Sequence, residues 1–191
     1  MLDTWQEWIG TETGVVFSTV VGLPVAALAV LLLAFVRRSR GTAGPWRASL
    51  ADVGMVYGTL PSVWIIMLPG AEPGVAPGRL SLVPFADLTD LVSHGDTGQI
   101  IGNLLVFAAV GFFAPLRFAA LRSVWRVLAL GAGCSAFLEI AQFALRLDRV
   151  SSVDDVLLNA AGAGLAALAS RSWWRPKHAV VPNRPQLVAA R

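Results

Sequence analysis

The sequence has few charged residues: only 14% are Asp, Glu, Lys or Arg, against about 25% in a typical soluble domain. Lysine is almost absent, since Lys177 is the single lysine among fifteen basic residues. Hydrophobic residues make up 55% of the chain, and the mean hydropathy is +0.65. A soluble fold of 191 residues needs a more strongly charged surface, so this composition argues against a soluble enzyme and a disordered chain. It predicts an integral membrane protein.

Residues that commonly carry out catalysis are also scarce. Cys134 is the only cysteine, which excludes an intramolecular disulfide and a cysteine-based metal site. The two histidines, His94 and His178, lie in predicted solvated segments, and the chain has neither a glycine-rich phosphate loop nor an HExxH motif. We therefore predict no catalytic residue and no cofactor. Nucleic acid is not a predicted partner, because the arginines flank apolar runs and form no stripe with interleaved aromatic residues.

The chain contains five apolar runs, each a candidate membrane-spanning helix. They are Gly14 to Val36, Leu50 to Leu68, Ile100 to Leu116, Val127 to Leu145, and Val156 to Ser170. An amphipathic segment, Phe85 to Val92, is expected to form one or two helical turns at the membrane interface. The fold class predicted from these runs is all-α, a polytopic membrane helix bundle with about five transmembrane helices.

The distribution of basic residues predicts which side of the membrane each segment occupies. One alternating set of connecting segments holds 12 of the Lys and Arg residues and the other holds 3, which is a positive-inside pattern. The N-terminus is therefore predicted outside and the C-terminus inside. The predicted order is an outer segment at 1–13, two transmembrane helices in 14–69, an extracytoplasmic loop at 70–99, a region with three transmembrane helices at 82–170, and a basic cytoplasmic tail at 171–191.

Polar residues interrupt the last three runs near the predicted outer leaflet. Glu139 and Gln142 are three residues apart and share one helix face, and Asp155 and Asn159 do the same at a spacing of four. The short loop between the last two runs makes those helices antiparallel neighbours. We therefore expect Asn159 to face Glu139 or Gln142. The full predicted cluster is Asn103, Glu139, Gln142, Arg146, Arg149, Asp154, Asp155 and Asn159.

This cluster has three possible roles on the sequence alone. A carboxylate such as Glu139 inside a span costs roughly 2.5–3.5 kcal/mol on insertion scales, so it needs a partner or a purpose. It can clamp helices together. It can belong to a site for a polar or phosphate-bearing ligand, with Arg146 and Arg149 holding the phosphate. It can also bind a divalent cation together with Asp154 and Asp155.

Four stretches of the sequence resemble the VanZ-like family. They are LVPF at 82–85, NLLVFAAVGFFAPL at 103–116, SAFLEIAQ at 135–142 and RVSSVDDVLLNAAGAG at 149–164. The residues that fall on the family's pattern are Asn103, Phe107, Gly111, Ser135, Glu139, Gln142, Arg149, Asp155, Asn159 and Gly162. Ala109 stands where the family usually has proline, so the third helix is expected to be straighter.

The resemblance implies a multi-pass protein of the bacterial plasma membrane that acts on the cell envelope. The family's namesake lowers susceptibility to the glycopeptide teicoplanin. The implied partners are membrane lipids and a lipid-linked cell-wall precursor or a glycopeptide. Two alternatives stay open: a metal-assisted membrane hydrolase or transferase, and a non-catalytic structural membrane subunit.

Overall fold

A computed structural model describes residues 10–75 and 78–174, and most of these residues are helical. The helices are α1 Glu12–Ser39, α2 Pro45–Ile66, α3 Ala86–His94, α4 Thr97–Val106, α5 Ala108–Arg117, α6 Val124–Ala144, α7 Val153–Ala169 and α8 Arg171–Trp174. A 3₁₀ turn spans Ala119–Leu121, and two three-residue strands are β1 Arg79–Ser81 and β2 Val150–Ser152. The prediction of an all-α membrane bundle is confirmed.

Four helical segments are long and apolar enough to cross a membrane within the described part of the chain. They are α1, α2, the combined segment Thr97–Arg117, and α6. The fifth predicted span, α7, has only 17 residues, about 26 Å of helix. The helix is short because it begins only after β2. Much of its surface is covered by other helices, and Asn159, Ala163 and Ala167 are buried. The structure thus gives four clear spans and a shorter, buried fifth helix.

The surface of α1 has the character of a lipid-facing helix. Thr11 caps its N-terminus by accepting a hydrogen bond from the Gly14 backbone, and arginines fill its last turn. Large apolar side chains point away from the bundle, including Val25 and Phe35, which are 69% and 72% exposed. Such exposure is costly in water and favourable in hydrocarbon.

The third apolar run is not one straight helix. It divides at Phe107, whose backbone leaves the helical region at φ −110° and ψ 14°, so the expectation of a straighter helix is wrong. Both halves pack closely on α7. A Cβ atom at Gly162 would overlap the Leu104 carbonyl, and one at Gly111 would overlap the Ala163 carbonyl. Small residues are therefore required where α7 contacts α4 and α5.

The two ends of the bundle differ in composition, and we name them accordingly. The arginine end holds the connections at 40–44 and 118–123, and there Asp52 pairs with Arg37 and Arg117, the latter at 2.8 Å from Nε. The loop end holds residues 67–75, 78–96 and 145–152. At the loop end β1 and β2 pair in parallel, with Arg79 opposite Val150 and Ser81 opposite Ser152.

Several predicted features fall wholly or partly outside the described residues. Residues 1–9 of the predicted outer segment and residues 175–191 of the predicted tail, with His178, belong to this group. The first residues after 170 do form a helix, α8, and Trp174 in it is buried. Which end faces the cytoplasm remains a prediction from the arginine distribution.

Candidate functional site

Asp155 and Asn103 connect the start of α7 to α4 at the loop end. The Asn103 side-chain amide donates a hydrogen bond to Oδ1 of Asp155. Asn103 is buried and Asp155 partly buried, so the bond lies inside the helix packing. It brings together two of the residues that the sequence placed in one cluster.

Asp154 acts as a helix cap for a different segment. Its Oδ1 accepts from the Phe85 backbone N–H at 2.6 Å, and its Oδ2 accepts from the Leu88 N–H at 3.0 Å. These are N–H groups at the start of α3, which has no side-chain cap of its own. Asp154 is only 2% exposed, so the negative charge sits in a favourable, enclosed position at the helix N-terminus. Its oxygens are thus already engaged by the protein.

Glu139 holds the second strand against α6. Its Oε2 accepts from the Ser152 backbone N–H at 3.1 Å, and its main-chain carbonyl accepts from the Ser151 hydroxyl at 3.0 Å. The residue is 9% exposed. The charge of Asp155 repels Glu139, while the charge of Arg149 attracts both carboxylates.

Two residues that the sequence interpretation missed complete this part of the cluster. Asp87 accepts hydrogen bonds from the hydroxyls of Ser81, at 2.9 Å, and of Ser152. Ser152 also caps α7, because its hydroxyl accepts from the Asp154 N–H at 3.1 Å. The sequence signal for Ser152 was present: Ser152 followed three residues later by Asp155 matches a capping-box spacing. No comparable local pattern marked Asp87.

Gln142 and Arg149 bind the end of α2 and not each other. Gln142 Nε2 donates to the Ile66 carbonyl at 2.6 Å. Arg149 donates from Nε to the Leu68 carbonyl at 3.2 Å and from Nη2 to the Ile65 carbonyl at 3.3 Å. These carbonyls lie at and just beyond the helix end, where, among the described residues, only Ile65 also accepts a backbone N–H, from Leu68, so the two side chains supply the donors there. The guanidinium of Arg149 is consequently directed at the backbone.

Arg146 is the predicted cluster member that stays at the surface. It lies two residues beyond α6 with a positive φ of 51° and is exposed. Its side chain makes no hydrogen bond or ion pair with any residue in 10–75 or 78–174. The neighbouring Asp148 instead pairs with Arg79 at 3.3 Å. Arg146 is therefore an exposed cation of the loop end, and it is Arg149 whose charge acts on Glu139 and Asp155.

Asn159 is buried between α7 and α6, as its position required. Its Nδ2 donates to Ser135 Oγ at 2.7 Å, so the partner is Ser135, one turn from Glu139, and not Glu139 or Gln142. Asn159 is 2% exposed and Ser135 is fully buried. Asn159 Oδ1 is buried without a hydrogen-bond partner in the described part of the chain. A buried acceptor of this kind is uncommon in folded proteins.

The site is therefore rich in acceptors and poor in free donors. Glu139, Asp155, Asp154 and Asp87 contribute carboxylates, and the basic residue whose charge reaches two of them is Arg149. Among the described residues no group of three His, Cys, Asp or Glu is arranged to hold a metal ion. The arrangement can accept hydrogen bonds from hydroxyl or ammonium groups inside, while Arg146 is an exposed cation at the same end of the bundle.

These features define a helical membrane protein with a polar cluster at one end of the bundle. The model of the VanZ/LLP1 family matches residues 55–174, more than half of the chain, and the chain belongs to that family. The match begins inside α2, whose terminal carbonyls are bound by Gln142 and Arg149. No curated protein and no solved structure matches the chain.

Proposed function

We propose that this protein spans the bacterial plasma membrane with its loop end outward and binds a lipid-linked or phosphate-bearing component of the cell envelope there. The cluster of polar residues at the loop end is the proposed binding site. Membrane lipids are the proposed environment and a phosphate-bearing lipid the proposed ligand. Membership of the VanZ/LLP1 family supports this class of function.

The observation that carries the proposal is the surplus of buried acceptors. Asn159 Oδ1 is buried without a partner among the described residues, and the carboxylates of Glu139 and Asp155 share one attracting cation, Arg149. An unsatisfied buried acceptor costs about 1–3 kcal/mol, so a donor supplied by a ligand would be favourable. Sugar hydroxyls and ammonium groups of envelope lipids are such donors.

The exposed surface of the loop end supplies the complementary charge for a phosphate. Arg146 is exposed and makes no side-chain bond to the described residues, whereas Arg149 is committed to carbonyls of α2 and the loop that follows. A guanidinium binds phosphate oxygens in a bidentate manner. We therefore assign the phosphate to Arg146 and the donor groups of the ligand to the acidic interior.

The physiological effect that we propose is lower susceptibility to glycopeptides such as teicoplanin. A deletion strain complemented with wild type, Glu139→Gln or Glu12→Gln tests this, with protein level measured in each. Glu139→Gln keeps the size of the side chain but removes its charge, and Glu12→Gln makes the same change on the exposed start of α1. We expect Glu139→Gln to lose protection and Glu12→Gln to retain it. Full protection by both variants at equal protein level would reject the role of the cluster.

A structural membrane subunit is the second candidate, and specific contacts favour it. Asp154, Gln142 and Arg149 all bind backbone groups of other segments, as helix clamps do. On this alternative Glu139→Gln raises thermal stability, because burying an amide costs less than burying a carboxylate. Protection would then be retained by Glu139→Gln, so the same strains separate the two candidates.

A further inference from the structure

A groove of about 470 Å³ lies on the side of α6 that faces away from α7. It is lined by Val63 of α2, by Phe107 at the break between α4 and α5, and by Leu130, Cys134, Phe137 and Leu138 of α6. The groove exists because α2 packs on α1 and α5 while α6 packs mainly on α7, so α2 and α6 stay apart along their length. Such a volume falls in the range of small-molecule sites, roughly 300–1,000 Å³.

The position and lining of the groove favour occupation by lipid acyl chains over water. Its walls come from segments long and apolar enough to cross a membrane. Along α6 the lining runs from Ala129 to Leu138, about 14 Å of helix axis, close to the depth of one leaflet of a bilayer core of about 30 Å. Its lining side chains carry no hydroxyl, amide or charge, so water inside would lack polar partners.

The loop-end side of the groove is closed by polar contacts. The Gln142 bond to the Ile66 carbonyl joins α6 to α2 one turn beyond Leu138 and Val63. Arg149 binds the adjacent carbonyls of Ile65 and Leu68. Arg146 follows Gln142 by four residues and is exposed at the same loop end, where its charge complements an anionic head group. An apolar groove that ends at polar contacts, with an exposed arginine at the same end of the bundle, matches the arrangement of acyl chain and head group in a phospholipid.

We propose that the groove between α2 and α6 holds one acyl chain of an anionic membrane phospholipid. The proposal deepens the function proposed above and rests on it for the head group, because it places the hydrocarbon part of the ligand next to the polar cluster. A void in contact with lipid is filled at little cost, since dispersion contacts replace empty space. The walls then contact the chain along its length.

The chain itself offers a matched pair of variants. A Cβ at Gly133, which lines the groove, would meet no atom within 4 Å, so a leucine side chain there occupies the groove without a clash at its first carbon. Gly102 on α4 is equally open and lies outside the groove. Gly133→Leu fills the proposed chain site, and Gly102→Leu makes the same change of residue elsewhere in a helix.

The test is photo-crosslinking of the full chain in vesicles of phosphatidylethanolamine and phosphatidylglycerol. A small fraction of the phosphatidylglycerol carries a diazirine in mid-acyl chain, and adducts are mapped by mass spectrometry. In wild type we expect adducts on residues 129–138 to exceed those on the lipid-exposed stretch 20–33 of α1. Gly133→Leu should reduce the adducts on residues 129–138 about tenfold, and Gly102→Leu should leave them unchanged. A tenfold loss is expected when the acyl chain loses contact through two methylenes.

Two outcomes would overturn the proposal. One is an even distribution of adducts over 129–138 and 20–33 in wild type, which needs no variant and signifies ordinary surrounding lipid. The other is a disulfide-linked dimer through Cys134 on mild oxidation, because Cys134 lines the groove and its pairing would place a second copy there. Neither result depends on glycopeptide susceptibility. A failure of the acyl-chain proposal can therefore be distinguished from a failure of the proposed function.

Discussion

At the scale of single residues, the polar cluster contains side chains that bind other parts of the protein and side chains that are available to a ligand. Asp154 and Arg149 bind backbone groups of other segments, although the sequence alone suggested ligand or metal roles for them. Asn159 retains a buried acceptor oxygen without a partner among the described residues, and the Glu139 carboxylate accepts from the serines that precede α7. The chemistry available for a ligand is therefore concentrated on these two residues, with Arg146 as an exposed cation at the same end.

The capping role of Asp154 gives a prediction at this scale. Asp154→Ala leaves the Phe85 and Leu88 N–H groups without their acceptor and should lower the free energy of unfolding by about 1–3 kcal/mol. In a chain of this size each kcal/mol corresponds to about 2–4 °C of melting temperature. Thermal unfolding in detergent measures the effect. The control is Asp90→Ala, since Asp90 is exposed on the same helix. Equal melting temperatures for both variants would contradict the capping role.

At the scale of elements, the loop-end contacts join segments that are far apart in sequence. Arg149 and Gln142 attach β2 and α6 to the end of α2, and the β1–β2 pairing ties the loop after α2 to the start of α7. The family match over residues 55–174 includes all of these segments. The last part of α2 is therefore structurally part of the family domain, whereas α1 contacts the bundle mainly through α2.

The contact between Arg149 and α2 gives a prediction for this scale. Arg149→Ala removes two charged hydrogen bonds to carbonyls at and beyond the end of α2, and a hydrogen bond of this kind contributes about 1.5–3 kcal/mol net of exchange with water. We expect a drop of at least several degrees in melting temperature in detergent. Arg146→Ala, an identical change three residues earlier, should leave the melting temperature unchanged because Arg146 is exposed and makes no such bond. A larger loss for Arg146→Ala than for Arg149→Ala would contradict this assignment.

The sequence predicted the helices well because long apolar runs are a strong signal over many residues. Both β1 and β2 were missed, since three residues are too few for a periodic pattern. The break at Phe107 was also missed, because it lies within a continuous apolar run and no proline or glycine marks it. The cluster was found because charged residues in apolar runs are conspicuous. The hydrogen-bond partners of its residues were not predicted, because whether Arg149 binds a phosphate or a backbone carbonyl depends on the position of α2.

At the scale of the whole molecule, the orientation in the membrane is the main prediction that the fold leaves to experiment. Single cysteines at Val75 and Thr42, each in a Cys134→Ala background, test it by labelling intact cells with a membrane-impermeant thiol reagent. Val75 is 82% exposed at the loop end, and Thr42 is exposed at the arginine end. The positive-inside pattern predicts labelling at position 75 and none at 42. Labelling at 42 alone would reverse the orientation and place the cluster on the cytoplasmic side.

The central claim is that the loop-end cluster binds a phosphate-bearing envelope lipid through Glu139, Asn159 and Arg146. The most direct measurement is purification from native membranes in mild detergent, followed by identification and quantification of co-purified lipids by mass spectrometry. Wild type should retain one class of phosphate-bearing lipid in near-stoichiometric amount. Glu139→Gln and Arg146→Ala should each retain much less of it, and Glu12→Gln should match wild type. The same lipid content in all four proteins would contradict the claim and leave the cluster a helix clamp.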